Sequence, residues 1–141
     1  MASTVLLCTD GSEVSIEALR VALPLLAPAD RTVLVTVESS VAADTTTGSG
    51  FTIDESTEDV GGLIETTGDL AAMRILEETR DALHLDGVEL TAIVGRPGRA
   101  ICELAASLPA SVVVVGTSGR GGLRRAVLGS TSDHIVRHAP C

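Results

Sequence analysis

A glycine-rich stretch with three arginines occupies residues 116–130, which read GTSGRGGLRRAVLGS. Its glycines allow the backbone to come close to a ligand and to adopt conformations that other residues avoid. A helix that begins near Gly129 and Ser130 would direct its first amides and the positive end of its dipole toward an anion. The Ser130 hydroxyl can donate to a phosphate oxygen, and Arg120 adds a cation. The stretch indicates phosphate binding; a flexible loop with solvated arginines is the alternative.

Two familiar phosphate-binding motifs do not fit this stretch. The Walker motif requires a lysine, but the sequence contains none, because all 10 of its basic residues are Arg. The dinucleotide-binding motif would need a glycine where Arg124 stands, and it should follow the first strand of the fold rather than a late one. The missing lysine also excludes Schiff-base chemistry and a lysine general base.

The composition excludes further classes of function. The net charge is −9, and a surface this acidic repels nucleic acid and anionic membranes. Because Trp and Tyr are absent and Phe51 is the single aromatic residue, a nucleobase would need an aliphatic slot and backbone hydrogen bonds. The 3 cysteines are too few and too scattered for a disulfide framework, and the 3 histidines do not lie near them at metal-ligand spacing. No metal site is predicted.

The sequence predicts no membrane span. Residues 18–29 faintly resemble the apolar core of a signal peptide, but acidic residues precede them where a positive region is required, and Arg20 interrupts them. We interpret this segment as a helix and expect a cytoplasmic protein.

The elements that would position the glycine-rich stretch alternate along the chain. Short apolar or β-branched runs predict strands at 5–8, 32–37 and 112–115, and a partly alternating run predicts one at 88–94. Apolar residues at helical spacing predict helices after the first three strands, and a short last helix is expected at about 130–138. This pattern predicts one α/β domain over 1–141, with a parallel sheet of four to five strands between two layers of helices. The uninterrupted valine run of the fourth strand indicates a strand that is covered on both faces.

The segment at about 38–62 is rich in Gly, Ser, Thr and acidic residues, and it predicts a long flexible loop. A lid over the site or a partner-binding segment is the alternative. A helix should follow from about Glu65 to His84, with Gly87 as a stop signal just beyond it.

Local signals also predict where the first helix begins and ends and where the last helix begins. Ser12 should cap the first helix, and Pro24 should kink or shorten its last turn. Ser130 with Asp133 resembles a capping box at the start of the last helix.

In parallel sheets, ligands bind at the carboxyl ends of the strands, near the point where the strand order reverses. The first and fourth strands should be neighbours at that point. Their carboxyl ends carry Asp10 and Gly116, so these two residues are expected to meet at the site.

The glycine pattern resembles the ATP-binding signature of universal stress proteins, G-x2-G-x9-G-[S/T]. Gly116-x-x-Gly119 is followed, after 9 residues, by Gly129-Ser130. Three further segments resemble the same family: the exit from the first strand, the loop after the third strand, and the last helix with the turn behind it. They are Thr9-Asp10-Gly11-Ser12, Gly95-Arg96-Pro97 and residues 132–141.

The resemblance implies the family's sheet order, 3-2-1-4-5, and a homodimer. In the family, a fifth strand usually follows the last turn and commonly pairs across the dimer interface. The sequence ends at Cys141, so the fifth strand is missing from the expected sheet. The expected homodimer therefore rests on the resemblance alone.

The resemblance also implies an adenine nucleotide site, for ATP or for ADP or AMP. Asp10 would lie beside the adenine and ribose, the backbone of Val37 would read the adenine edge, and the end of the fourth strand would lie near the nucleoside. The phosphates would contact the glycines and hydroxyls at positions 119 and 129–131. Arg120 is added to this set because of its positive charge. The full set is Asp10, Val37, Val115, Gly116, Gly119, Arg120, Gly129, Ser130 and Thr131. Without the resemblance, Asp10 would be interpreted as a helix cap, and Val37 and Val115 as core.

The function implied by the resemblance is regulatory and linked to stress, not that of a fast enzyme. No general base is evident near the phosphate positions, although Ser130 and Asp10 could hold Mg²⁺ indirectly and permit slow hydrolysis. Two alternatives remain. One is a nucleotide-free interaction module, against which the intact glycine signature argues. The other is an ATP-dependent substrate-activating enzyme of the hydrolase-like relatives, which resemble S-G-G-x-D-S where this chain has Thr9-Asp10-Gly11-Ser12.

Overall fold

The computed structural model describes residues 2–39, 58–117 and 128–141, with the side chains of the second helix described from residue 70 onward. None of the helices in these ranges is long and apolar enough to cross a membrane. The elements are β1 (Thr4–Cys8), α1 (Glu13–Ala22), a 3-10 turn (Leu23–Leu25), β2 (Arg31–Glu38), α2 (Glu58–Leu83), β3 (Glu89–Val94), α3 (Pro97–Ser107), β4 (Val112–Val114) and α4 (Ser130–His138).

The strands form one sheet in the order β3-β2-β1-β4, and every neighbouring pair is parallel. The register places Leu7 of β1 beside Leu34 of β2 on one side and Val114 of β4 on the other. The predicted α/β class and the predicted order of the first four strands are therefore confirmed. Because β1 is a central strand, its exit lies between the exits of β2 and β4.

The side chains of β1 alternate between two layers of helices. Val5 and Leu7 pack against α1 and α2, in a cluster that includes the fully buried Leu76. Leu6 packs on the opposite face against α3, and Cys8 packs there against α3 and α4. Each fully buried leucine contributes roughly 1.5–3 kcal/mol through apolar burial. The two layers confirm the three-layer arrangement and fix the direction in which β1 leaves the sheet.

The second helix begins earlier than the sequence predicts. It starts at Glu58 rather than near Glu65, so the last residues of the predicted loop, 58–62, are helical. At the other end of that loop, β2 continues through Glu38. The rest of the predicted loop, 40–57, lies outside the described residues. The sequence pattern does not predict this early start, because the first turns of α2 are rich in Gly and Thr, which are weak helix formers.

Strand β4 lies at the edge of the sheet formed by the described residues, where it pairs with β1 alone. The expectation that the valine run is covered on both faces is wrong for its first residue, Val112, which is 36% exposed. The valine run is still compatible with the fold because Val113 and Val114 pack into the core on opposite faces of the sheet.

The first helix starts and ends as predicted. Ser12 is its N-cap, and the Ser12 Oγ accepts a hydrogen bond from the Ser15 amide at 3.2 Å. The α-helix ends at Ala22, and Pro24 lies in the 3-10 turn that follows. The proline therefore shortens the helix, because it cannot donate the next helical hydrogen bond.

Candidate functional site

A cleft of about 760 Å³ opens at the carboxyl edge of the sheet, where β1, β2 and β4 end. Its walls include the middle of α2, the first turn of α3 and the start of α4. The volume falls within the range of roughly 300–1,000 Å³ that is typical of small-molecule sites. The location is the one expected for a parallel α/β sheet, beside the point where the strand order reverses.

Most of the residues predicted from the sequence meet in this cleft. The lining includes Asp10, Val37, Val115, Gly116, Gly129, Ser130 and Thr131. The two other predicted residues, Gly119 and Arg120, lie outside the described residues. Segments that are far apart in sequence thus converge because β1 lies between β2 and β4 in the sheet.

The turn that carries Asp10 is fixed by its own hydrogen bonds. The Asp10 Oδ1 accepts from the Ser12 amide at 2.9 Å and from the Ser12 Oγ at 2.5 Å. Gly11, between them, has a φ of 79°, in the left-handed region that favours glycine. The Gly11 amide donates to the Thr9 Oγ1 at 3.1 Å. Asp10 therefore supports the cap of α1 and lines the cleft at the same time.

A buried network of three hydroxyls connects this turn to α2. The Thr9 Oγ1 lies 3.2 Å from the Ser15 Oγ and 3.1 Å from the Thr79 Oγ1. Thr79 is fully buried, and Thr9 and Ser15 both line the cleft. Buried hydroxyls are costly unless they are paired, so the network favours one position of α2 against the β1–α1 turn. It thereby sets the position of one cleft wall.

The start of α4 differs from the predicted capping box. Gly129 is the N-cap and Ser130 is the first residue of the helix, and in the part of the chain that the structure describes no side chain caps it. The predicted pairing of Ser130 with Asp133 is therefore wrong: Ser130 already has helical backbone geometry, and the Asp133 carboxylate bonds to Arg137 at 2.9 Å. The Thr117 carbonyl accepts a hydrogen bond from the Gly129 amide at 2.7 Å. This bond joins the end of β4 to the start of α4.

The electrostatics of the α4 start favour an anion. Gly129, Ser130 and Thr131 line the cleft, and no side chain among the described residues caps the first turn of α4. Unsatisfied amides and the positive end of the helix dipole together attract negatively charged groups. The cleft therefore has a positively polarised edge in a chain whose net charge is −9.

The rest of the lining is largely aliphatic among the described residues. Val37 and Val115 lie at the ends of their strands, and Ile75 lines the cleft from α2. Sequence reasoning missed the α2 wall, formed by Ala71, Ala72 and Ile75. Helical spacing identifies Ala72 as a buried position, but a single-sequence pattern does not show where α2 lies relative to the strand ends.

Cys8, the last residue of β1, is a buried thiol in the cleft lining. Burial and, to a smaller extent, the neighbouring Cys102 raise the pKa of this thiol from 9.0 to about 12. At neutral pH almost no Cys8 thiolate is present, so Cys8 is a poor nucleophile.

The protein is expected to lose stability as the pH rises from about 9 toward 12, because of Cys8. The unfolded chain, with the lower thiol pKa, releases this proton first, so the stabilisation is complete below the unfolded pKa and is lost as the pH rises through the folded pKa. The loss approaches about 4 kcal/mol, from about 1.4 kcal/mol per pKa unit. The chain has no Lys or Tyr whose titration would obscure this window.

Urea unfolding at a series of alkaline pH values measures this effect. The Cys8→Ala variant should show a much flatter pH dependence than the wild type, while a variant of the exposed Cys141, Cys141→Ala, should retain the steep one. Equal slopes for the wild type and Cys8→Ala would refute the assignment.

The sequence model of the Universal stress protein family matches residues 1–141. Among curated proteins, universal stress protein MJ0531 of Methanocaldococcus jannaschii is 29% identical to this chain over 136 residues, and the match covers 94% of this chain and 75% of that protein.

Several solved structures share the fold. Hypothetical protein MJ0577 superposes with a TM-score of 0.75 at 20% identity, covering 99% of this chain and 92% of the other. A universal stress protein in complex with cAMP gives a TM-score of 0.63 at 23% identity, with coverages of 99% and 91%. The Arabidopsis thaliana family protein At3g01520, with AMP bound, gives 0.61 at 19% identity, with coverages of 99% and 87%. At these identities the similarity establishes the fold.

Proposed function

Because this chain belongs to the universal stress protein family, we propose that its cleft binds an adenine nucleotide: ATP, or its relatives ADP and AMP. One observation carries the proposal. Asp10, Val37 and Gly116, together with the start of α4, line a single cleft of nucleotide size. The ligand class is further supported by two similar structures that contain adenine nucleotides, cAMP in one and AMP in the other.

The two ends of the ligand would meet different parts of the lining. The adenine would lie in the aliphatic slot near Val37 and Val115, where the backbone at the end of β2 can recognise its edge. Asp10 would lie beside the ribose. The phosphates would approach the start of α4, where backbone amides and the helix dipole favour anions.

The loop between β4 and α4 would complete the phosphate site. Gly119 would admit the phosphates close to the backbone, and Arg120 would add a positive charge. The Ser130 and Thr131 hydroxyls, in the first turn of α4, would donate to phosphate oxygens.

The proposed role is regulatory and linked to the stress response.

The residues that line the cleft could also hold Mg²⁺ together with the nucleotide. Mg²⁺ bound to a nucleotide usually needs only one or two carboxylates in addition to phosphates and water. The described lining offers the Asp10 carboxylate and the Ser130 hydroxyl. When bound, the ion would neutralise phosphate charge and permit slow hydrolysis. We also propose a cytoplasmic homodimer, on the basis of the family to which the chain belongs.

The nucleotide proposal is tested on the freshly purified protein. The chain contains no Trp or Tyr, so a bound adenine would dominate its near-ultraviolet absorption. Denaturation followed by chromatography then identifies what is released, and Mg-ATP added to the stripped protein should raise its melting temperature through linkage. A spectrum without adenine, together with an unchanged melting temperature, would favour a nucleotide-free interaction module.

A further inference from the structure

Two cysteines that are far apart in sequence share a cluster on one side of the sheet, and the third follows a residue that packs on this cluster. Cys8 at the end of β1 and Cys102 on α3 belong to the same apolar cluster, and Ala139, directly after α4, packs against it. Cys141 follows Ala139 by two residues. The three thiols differ in accessibility: Cys8 is buried, Cys102 is half-buried and Cys141 is exposed.

The packing of α3 against α4 explains why Cys102 and Ala139 share one cluster. Both helices begin at the cleft and pack against each other. They meet closely at Gly98, where an added Cβ would come within 2.8 Å of the His134 Cβ. One helical turn beyond this contact, α3 carries Cys102 and α4 reaches its last residue, His138. The chain then passes Ala139, which packs on the same cluster as Cys102.

The ionisation of the thiols supports the same arrangement. Desolvation raises the pKa of Cys102, and the neighbouring Cys141 raises it further. Cys102 in turn contributes to the raised pKa of Cys8. The geometric basis of this arrangement is the packing of Ala139 on the cluster that Cys8 and Cys102 share.

We propose that Cys102 and Cys141 form a reversible redox pair, which a hydroperoxide oxidises to an intramolecular disulfide while Cys8 stays reduced. Cys141 reacts first because it is the exposed member of the pair. Cys102 resolves the intermediate because it belongs to the cluster on which Ala139, two residues before Cys141, packs. Cys8 does not react because its thiol is buried in the apolar cluster. The sequence alone does not indicate this pair, because the spacing of the cysteines matches no disulfide pattern.

The reaction balances with hydrogen peroxide as the oxidant. The Cys141 thiolate attacks one peroxide oxygen, an S–O bond forms, the O–O bond breaks, and the departing hydroxide takes a proton to become water. The Cys102 thiolate then attacks the sulfenic acid sulfur; the S–S bond forms, the S–O bond breaks, and hydroxide leaves as water with the proton that Cys102 released. Two thiols and one peroxide thus give one disulfide and two waters. A dithiol reductant reverses the change.

Peptide mapping of the peroxide-treated protein tests the pair directly. All basic residues of the chain are Arg, and trypsin places the three cysteines in the separate peptides 1–20, 100–120 and 138–141. After treatment with hydrogen peroxide and alkylation of the remaining thiols, we expect peptide 100–120 linked to 138–141 and peptide 1–20 alkylated. The intact chain should lose two hydrogen atoms, remain unlinked to other chains on a non-reducing gel, and regain both thiols with dithiothreitol.

Matched variants separate this pair from other thiol chemistry. Cys102→Ser and Cys141→Ser should each abolish the loss of two hydrogen atoms, whereas Cys8→Ala should retain it; circular dichroism checks that each variant folds. A link that includes peptide 1–20, a disulfide between two chains, or over-oxidised Cys141 with alkylated Cys102 would each overturn the proposal. The mapping of the wild-type chain gives the answer even if a variant fails to fold, and it does not depend on nucleotide binding.

Discussion

Replacing Gly129 with Val is expected to weaken adenine nucleotide binding at least about a hundredfold, or about 2.7 kcal/mol. Gly129 lines the cleft and is the N-cap of α4, where the phosphates are proposed to bind. A branched side chain there would occupy space that the phosphates need in order to reach the first amides of the helix. The backbone at Gly129, with φ −62° and ψ 157°, is one that Val also adopts. The fold should therefore persist, with a cost of at most about 1 kcal/mol from the poorer cap.

Calorimetric titration with Mg-ATP measures this loss, and thermal unfolding confirms that the variant is folded. Ala106→Val, which enlarges an exposed residue of α3 remote from the cleft lining, is the control and should bind like the wild type. Gly119→Val is expected to behave like Gly129→Val, from the glycine pattern of the sequence. Undiminished affinity in both glycine variants would show that the phosphates bind elsewhere.

Replacing Gly11 with Ala is expected to lower the free energy of unfolding by about 2–3 kcal/mol. The left-handed backbone, with a φ of 79°, accounts for about 1–2 kcal/mol of this change. The rest comes from crowding, since a Cβ at Gly11 would lie 3.1 Å from the Ile75 Cγ2. Ile75 lines the cleft, so the displaced α2 wall should weaken nucleotide binding as well.

A second glycine separates strain from crowding in this prediction. Gly87 has a φ of 69°, but nothing lies within 4 Å of an added Cβ. Gly87→Ala should therefore lose only the backbone contribution, and Gly11→Ala should lose more. In an Ile75→Ala background, Gly11→Ala should fall to the level of Gly87→Ala, which a double-mutant cycle by urea unfolding would show. Equal losses for both glycines in the wild-type background would mean that Ile75 does not restrict this turn.

The features that the sequence predicts well are those that follow from alternation along the chain. Alternating strands and helices determine a parallel sheet, and its strand exits meet at one edge. Together with the rule that ligands bind where the strand order reverses, alternation predicts that Asp10 and Gly116 meet at one site. The glycine-rich stretch itself indicates Gly129 and Ser130 as phosphate-binding residues. Val37 could be added only through the family resemblance, because it also fits a position in the core.

The features that the sequence does not predict depend on how the helices pack on the sheet. The pairing of Thr9 with Thr79 requires the position of α2 against the β1–α1 turn, and no single-sequence pattern contains it. The same holds for Ile75 in the cleft wall and for Cys102 in the cluster on which Ala139 packs. Helix ends fail for a more local reason: Ser130 is a good N-cap residue, but Gly129 takes the cap position one residue earlier.

Titration of the nucleotide-stripped chain with Mg-ATP and, separately, with Mg-GTP tests the central claim most directly. We predict saturable binding of one ATP per chain. We also predict GTP binding at least about tenfold weaker, or about 1.4 kcal/mol, because the backbone at the end of β2 is proposed to recognise the adenine edge. No saturable binding of ATP, or equal affinity for the two nucleotides, would contradict the assignment of this cleft as an adenine nucleotide site.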